Sequence, residues 1–175
     1  YWLVDPLDGT KEFVRRSGEF TVNIALIRTK SPILGVVCAP ALKTSYWGAV
    51  GHGAFCRENG ISGSIAVNVP DDDDIRIISS RHHGNNRELQ DFLATFNVVQ
   101  TIEAGSSLKF CVVAKGDADL YPRFGPTCEW DTAAGHAILD AAGGHVTNVD
   151  GSAFLYRKKD FRNSNFIAWG GLNPP

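Results

Sequence analysis

At 175 residues and 43% hydrophobic content, the chain can bury one large core or two small ones, which excludes a disordered tail. A formal net charge of −2 with both signs scattered leaves no basic stripe to neutralise a nucleic-acid backbone, so a polymeric nucleic-acid partner is not expected. The cysteines Cys38, Cys56, Cys111 and Cys128 form no C-x-x-C pair and sit among apolar neighbours, which reads as reduced, buried thiols rather than a disulfide framework or a zinc cage.

No apolar run approaches the ~20 residues of a membrane span, and the start lacks a basic, then apolar, then small-residue leader. A soluble intracellular protein is expected. The chain contains no methionine and opens on the apolar run Tyr1-Trp2-Leu3-Val4, which reads as the middle of a strand in an N-terminally incomplete sequence.

Tyr1 to Val4 is the first expected strand. Pro6 should end it, because proline cannot donate to a ladder, and Gly9-Thr10 suits a turn into a short helix over Lys11 to Arg16. β-Branched runs at Phe20 to Arg28 and Ile33 to Ala39 flank a Thr29-Lys30-Ser31-Pro32 turn. Thr44 to Ala49 and Gly53 to Arg57 flank Val50-Gly51-His52, so an antiparallel meander is expected. The acidic run Asp71 to Asp74 reads as a solvated linker near a boundary between a 1–70 unit and a 71–175 unit.

Beyond it, Ile75 to Ser79 is an expected strand, and about Asn86 to Phe96 a helix with Leu89, Phe92, Leu93 and Phe96 on one face. Ser106 to Ala114 reads as a helix and Ala118 to Tyr121 as a strand. Thr132 to Ala142 is a long helix stopped by Gly143-Gly144. Mixed helices and strands predict layered α+β or α/β architecture.

Two acidic strings carry chemistry. In Asp5-Pro6-Leu7-Asp8-Gly9-Thr10, two carboxylates three residues apart straddle a proline turn and can share one space at a strand end. Such a pair attracts hard cations, and magnesium prefers carboxylate, carbonyl and water oxygens. Gly9 and Thr10 offer backbone N–H groups at a helix start, an anion site beside the cation site. Taken alone, D-P-x-D is more often a plain turn with an aspartate cap. The spacing of three also speaks against covalent aspartyl phosphatases, whose two carboxylates stand two apart. In the second string, Glu129-Trp130-Asp131-Thr132-Ala133-Ala134-Gly135-His136, Asp131 stands at a helix start, where an N-cap is the ordinary reading.

Together the two strings resemble the signatures D-P-[IL]-D-G-T and W-D-x-A-[AG]-[GA] of the inositol monophosphatase superfamily, and the resemblance spans essentially the whole chain. Gly18 to Asn23, Leu34 to Val37, Gly105 to Phe110 and Leu120 to Thr127 look like its CysQ-type 3'(2'),5'-bisphosphate nucleotidase branch in particular. The resemblance implies an α+β, layered αβαβα sugar-phosphatase fold whose first helices lie upstream of Tyr1. It implies a phosphomonoesterase with two or three Mg2+ ions: Asp5 bridges two ions, the Leu7 carbonyl serves the first, and Asp8 and Asp131 hold the second. The Gly9 and Thr10 amides bind phosphate, and the Thr10 hydroxyl orients the attacking water. A glutamate ligand of the family falls upstream, so this chain alone is expected to lack one metal carboxylate and to be inactive by itself.

The implied substrate is adenosine 3',5'-bisphosphate, cleaved to AMP and phosphate in sulfate assimilation. Ser80-Arg81-His82-His83 resembles the S-R-S-H stretch lining the nucleotide site, with His82 in place of serine. Ser80, His83, Gly105, Lys109 and Arg123 are the substrate-side candidates; solvated histidines and surface cations are the plain alternatives. Cys111 and Cys128 read as core fillers, and Trp130 as packing under Asp131. Two other functions stay open: an inositol or other sugar-phosphate phosphatase, and an inactive binding or regulatory module. A monomer or homodimer in the cytoplasm is expected, with peripheral association at the cytoplasmic face of the inner membrane left open.

Overall fold

A computed structural model of the chain describes residues 1–70, 74–80 and 87–172. Strands β1 (Trp2–Asp8), β2 (Thr21–Arg28), β3 (Ser31–Ala39), β4 (Thr44–Ala49), β5 (Gly53–Glu58) and β6 (Ile61–Ile65) pair in sequential order as one antiparallel sheet. This is the expected meander with β6 added; Ile-Ser-Gly-Ser-Ile carries no strand pattern to read. The β2–β3 hairpin turns on Thr29-Lys30, and Pro32 lies inside β3 rather than in the turn, at a register shift where a missing N–H costs no ladder bond.

A second sheet is built from β7 (Asp74–Ser79), β8 (Asn97–Glu103), β9 (Leu120–Arg123), β10 (His145–Asn148) and β11 (Phe166–Trp169), in the order β10-β11-β9-β7-β8. β7 pairs parallel to β8 and β9, and the rest pair antiparallel. The helices are α1 (Thr10–Val14), α2 (Arg87–Leu93), α3 (Leu108–Ala114) and α4 (Glu129–Ala141). Residues 71–73 of the acidic run lie outside the described residues. Asp74 opens β7 and accepts from Asn97 Nδ2 at 2.6 Å, so it is a strand residue rather than linker.

Period-two alternation decides which side chains meet. In β2, Thr21, Asn23, Ala25 and Ile27 turn inward, and α4 lies across β2, β3 and β4 on that face. Gly35 permits the contact: a Cβ there would stand 2.2 Å from the Ala134 carbonyl oxygen. α3 packs on α4 and faces β7, β9 and β11. The second sheet splits its apolar side chains between Ile78, Tyr121, Phe166 and Ala168 toward α3, and Ile75, Ile77, Leu120, Ile167 and Trp169 toward Phe92, Leu93 and Phe96 at α2. The layers are therefore sheet, helix pair, sheet, helix, four of the five expected.

Candidate active site

In a regular strand, residues three apart point to opposite faces. Asp5 pairs with Asn23 and Asp8 with Thr21, so three steps on β1 match two on β2 and a bulge carries one extra residue. The bulge returns both carboxylates to one face. Pro6 sits in it, and the Leu7 N–H donates to Asp5 Oδ1 at 2.9 Å instead of to the ladder. The strand was expected to end at Pro6; it runs on to Asp8, and proline marks the bulge. Gly9 follows at φ +80°, a left-handed conformation costly for other residues, and launches α1. Thr10, exposed, is the first residue of that helix.

Asp131 arrives from α4. The N-cap is Cys128, not Asp131, whose side chain instead reaches back so that Oδ2 accepts the Cys128 N–H at 2.7 Å. Cys128 is thus a half-buried cap rather than core filler, while Cys111 is fully buried. A strap over residues 155–163 seats the helix start. Glu129, wholly buried, accepts the Lys158 N–H at 2.8 Å, and Asn163 Nδ2 donates to the Cys128 carbonyl at 2.8 Å. Trp130 does not pack under Asp131: it is 37% exposed and leans on Phe161, ring centroids 5.9 Å apart.

Asp5, Asp8 and Asp131 each offer a carboxylate oxygen, and these oxygens lie within 4.8 Å of one another. Ser107 joins them. Its N–H and hydroxyl lie 2.7 and 2.6 Å from Asp8 Oδ2, its hydroxyl is 2.8 Å from the Asp131 carbonyl oxygen, and Asn23 Nδ2 donates to that hydroxyl at 2.7 Å. Ser107 is the N-cap of α3, yet its hydroxyl does not cap that helix. The diversion forfeits about 1 kcal/mol of helix stability. Sequence reading assigned no role to Ser107 or Asn23. The available signal was two polar residues, Thr21 and Asn23, on the buried phase of an apolar strand.

A cavity of about 160 Å³ opens beside the triad, lined among others by Asp8, Gly9, Ser80, Lys109, Arg123 and Asp131. Asp5, Leu7 and Thr10 lie outside its lining. Lys109 is not a surface cation: it is 4% exposed, and Nζ donates to Ser106 O at 2.6 Å and Ala104 O at 3.3 Å. Burial pushes its ammonium down to about 8. Gly105 N–H donates to Glu19 Oε2 at 2.8 Å, tying the 104–106 loop to the segment before β2. Arg123 gives Nη2 to Pro126 O at 3.2 Å, and its buried Nε has no hydrogen-bond partner. Arg81, His82 and His83 lie outside the described residues.

Burial first, then the negative Asp8 and Asp5, push Asp131 up to about 6, and burial pushes Asp5 up as well. Among the described residues no lysine or arginine forms an ion pair with any of the three. Three hard oxygen donors gathered in one space, none of them ion-paired to a described lysine or arginine, fit a hard cation. A cavity at their side whose lining includes Lys11, Lys109 and Arg123 fits a small anion bound together with that cation.

The sequence profile of the inositol monophosphatase family matches residues 1–173. The 3'(2'),5'-bisphosphate nucleotidase CysQ of Salmonella typhimurium is 53% identical over 170 residues, 95% of this chain and 66% of that protein. The crystal structure of CysQ from Bacteroides thetaiotaomicron matches at a TM-score of 0.88 and 39% identity, over 98% of this chain and 70% of that one. An inositol monophosphatase from Anabaena matches at 0.79 and 27%, over 96% of this chain and 66% of its own. The chain thus spans about two thirds of the length of these relatives, with the acid triad and the layered sheets inside the matched region. It belongs to the inositol monophosphatase family.

Proposed function

We propose that the chain carries the metal and phosphate site of a magnesium-dependent phosphomonoesterase, which hydrolyses the 3'-phosphate of adenosine 3',5'-bisphosphate to AMP and phosphate in sulfate assimilation. One observation carries this reading: three carboxylate oxygens within 4.8 Å beside a cavity that Lys109 and Arg123 line. The carboxylates alone would repel a phosphate ester, so the pairing of the two makes sense for a cation and an anion bound together.

In this reading Asp5, the Leu7 carbonyl, Asp8 and Asp131 hold two or three magnesium ions. When bound, these supply a polarised water as nucleophile and neutralise charge on the phosphate. The Gly9 and Thr10 amides, at the start of α1 where no intrahelical acceptor exists, donate to phosphate oxygens, and the Thr10 hydroxyl orients the water. Ser80, His83, Gly105, Lys109 and Arg123 take the nucleoside side and its second phosphate. The names of the relatives favour the nucleotidase over an inositol phosphatase: the Salmonella protein is 53% identical, the Anabaena inositol monophosphatase 27%. The division into 1–70 and 71–175 units, a monomeric or homodimeric state and a cytoplasmic location belong to the same proposal. Among the described residues no helix is long and apolar enough to cross a membrane.

The test is phosphate release from adenosine 3',5'-bisphosphate and from inositol 1-phosphate, with and without magnesium. It is run on this chain and on one extended upstream to the length of the relatives. Magnesium-dependent release from the bisphosphate in preference to inositol 1-phosphate is expected. Preference for inositol 1-phosphate overturns the substrate, and no release of any kind in the presence of bound metal revives the inactive module.

A further inference from the structure

Each carboxylate of the triad spends one oxygen on a backbone N–H. Asp5 Oδ1 takes Leu7 at 2.9 Å, Asp8 Oδ2 takes Ser107 at 2.7 Å, and Asp131 Oδ2 takes Cys128 at 2.7 Å. At Asp8 the occupation goes furthest. Its Oδ2 also meets the Ser107 hydroxyl at 2.6 Å, Asn23 Nδ2 at 3.3 Å and the Thr21 hydroxyl at 3.4 Å. Ser107 and Asn23 are 2% and 1% exposed, so water does not compete for these contacts. An oxygen so surrounded is turned into the protein, which leaves Oδ1 as the atom Asp8 presents to a cation.

The number of oxygens a carboxylate can offer bears on which ion it suits. A small octahedral cation such as magnesium takes one oxygen from each carboxylate and keeps its waters, whereas calcium takes six to eight oxygens and readily uses both from one carboxylate. Ser107 also sets distance. Its hydroxyl accepts from Asn23 and has a single proton, to be given either to Asp8 Oδ2 or to the Asp131 carbonyl at 2.8 Å. Through it, a residue of β1 and a residue of α4 are held at one spacing.

We propose that Ser107, backed by Asn23, is a positioning residue that makes the triad selective for a small octahedral cation over calcium, by restricting Asp8 to one coordinating oxygen and fixing its spacing from Asp131. This rests on the metal-dependent reading of the site, and the experiment separates the two.

Bound Mn2+ is followed by electron paramagnetic resonance on the protein extended upstream to the length of its relatives, and Mg2+ and Ca2+ are titrated in as competitors, so no substrate turnover is needed. In Ser107→Ala, Mg2+ competition is expected to weaken roughly tenfold, the usual cost of removing a hydrogen bond behind a metal ligand. Ca2+ competition holds or improves, so the Mg2+/Ca2+ preference falls by about the same factor. Asn23→Ala shifts the ratio in the same direction and serves if Ser107→Ala does not fold. The double variant goes no further than the larger single effect, because both act through one oxygen. Thr147→Val is the control: it removes a buried hydroxyl that accepts from Trp169 Nε1 at 3.0 Å in the second sheet, and leaves the ratio unchanged whatever it does to melting. Equal weakening of both ions, or an unchanged ratio, overturns the inference while leaving the metal site standing. A wild-type protein of the relatives' full length that holds no Mn2+ overturns both. Mn2+ binding with the expected ratio shift, but no hydrolysis of any phosphate ester, supports the inference and removes only the proposed reaction.

Discussion

Asp119 and Asp131 belong to one chain and are both withdrawn from water, yet they titrate in opposite directions. Asp119, just ahead of β9, is 1% exposed. Burial pushes its carboxyl up, but Arg76 Nη2 at 2.7 Å, the Arg76 N–H at 2.9 Å and Asn68 Nδ2 at 2.8 Å outweigh it, and the group is held below the usual carboxylate range. Asp131 has a backbone N–H as well, and Arg123 attracts its charge, but burial with repulsion from Asp8 and Asp5 outweighs both and pushes it up to about 6. The difference lies in who supplies the counter-charge. At Asp119 the chain does so itself, and the result is a structural bolt joining the Asn68 segment, β7 and β9. At Asp131 Arg123 offsets only part of the burial and repulsion, which leaves the rest of the counter-charge to a bound cation. A perturbed carboxylate marks a functional site when its shift is left uncompensated by the fold.

That contrast can be broken most forcefully at Asp131. Asp131→Asn keeps an oxygen for the reach-back contact and removes one carboxylate charge from the triad. In the protein extended upstream to the length of its relatives, magnesium-dependent turnover should fall on the order of a thousandfold, corresponding to several kcal/mol of lost transition-state stabilisation. The melting temperature of the metal-free protein should not fall, because a repulsion has been relieved. A variant with the wild-type rate would remove Asp131 from the site. Asp119→Ala should show the reverse pattern. Arg76 and Asn68 lose their partner, and unfolding free energy in urea should drop by about 3 kcal/mol, as when one member of a buried pair is deleted. Mn2+ affinity should stay as in the wild type. An affinity loss without a stability loss would mean that the two sets of aspartates are not distinct.

The two sets also differ in how far they could be read from sequence. Asp5 and Asp8 were visible as a spaced pair that a proline turn could bring into one space, but the means was not, because it is a bulge registered against Asn23 and Thr21 of β2 rather than a strand end. Asp131 was visible at a helix start; its part in the cap was misjudged because Cys128, an unusual cap residue, occupies the position that aspartate would normally claim. Ser107 lies 99 residues from Asp8 and 84 from Asn23, so no local pattern announces their meeting. Asp119 went unnoticed for the same reason, its partner Arg76 being 43 residues away. The meander and the α3 and α4 helices followed from periodicity. β8 did not: as an edge strand it is exposed over most of its length and lacks the alternation that burial imposes. β10 and β11 are four residues each, too short for a period to show.

Acid titration sharpens the comparison with the smallest expected effect. A carboxyl held below its unfolded value binds fewer protons in the folded state than in the unfolded one as the pH falls through that interval, so its contribution to stability is complete at neutral pH and shrinks on acidification. For Asp119 the interval begins near the ordinary aspartate value, about pH 4, and extends below it. The gap in unfolding free energy between wild type and Asp119→Ala, measured in urea with metal removed by chelation, should therefore be level from about pH 7 to pH 5 and narrow below about pH 4. A gap that widens on acidification would mean that the Asp119 carboxyl is raised, like Asp131, and that Arg76 and Asn68 do not compensate its burial. In that event an uncompensated shift would no longer separate the triad from the structural aspartate, and only the convergence of Asp5, Asp8 and Asp131 would.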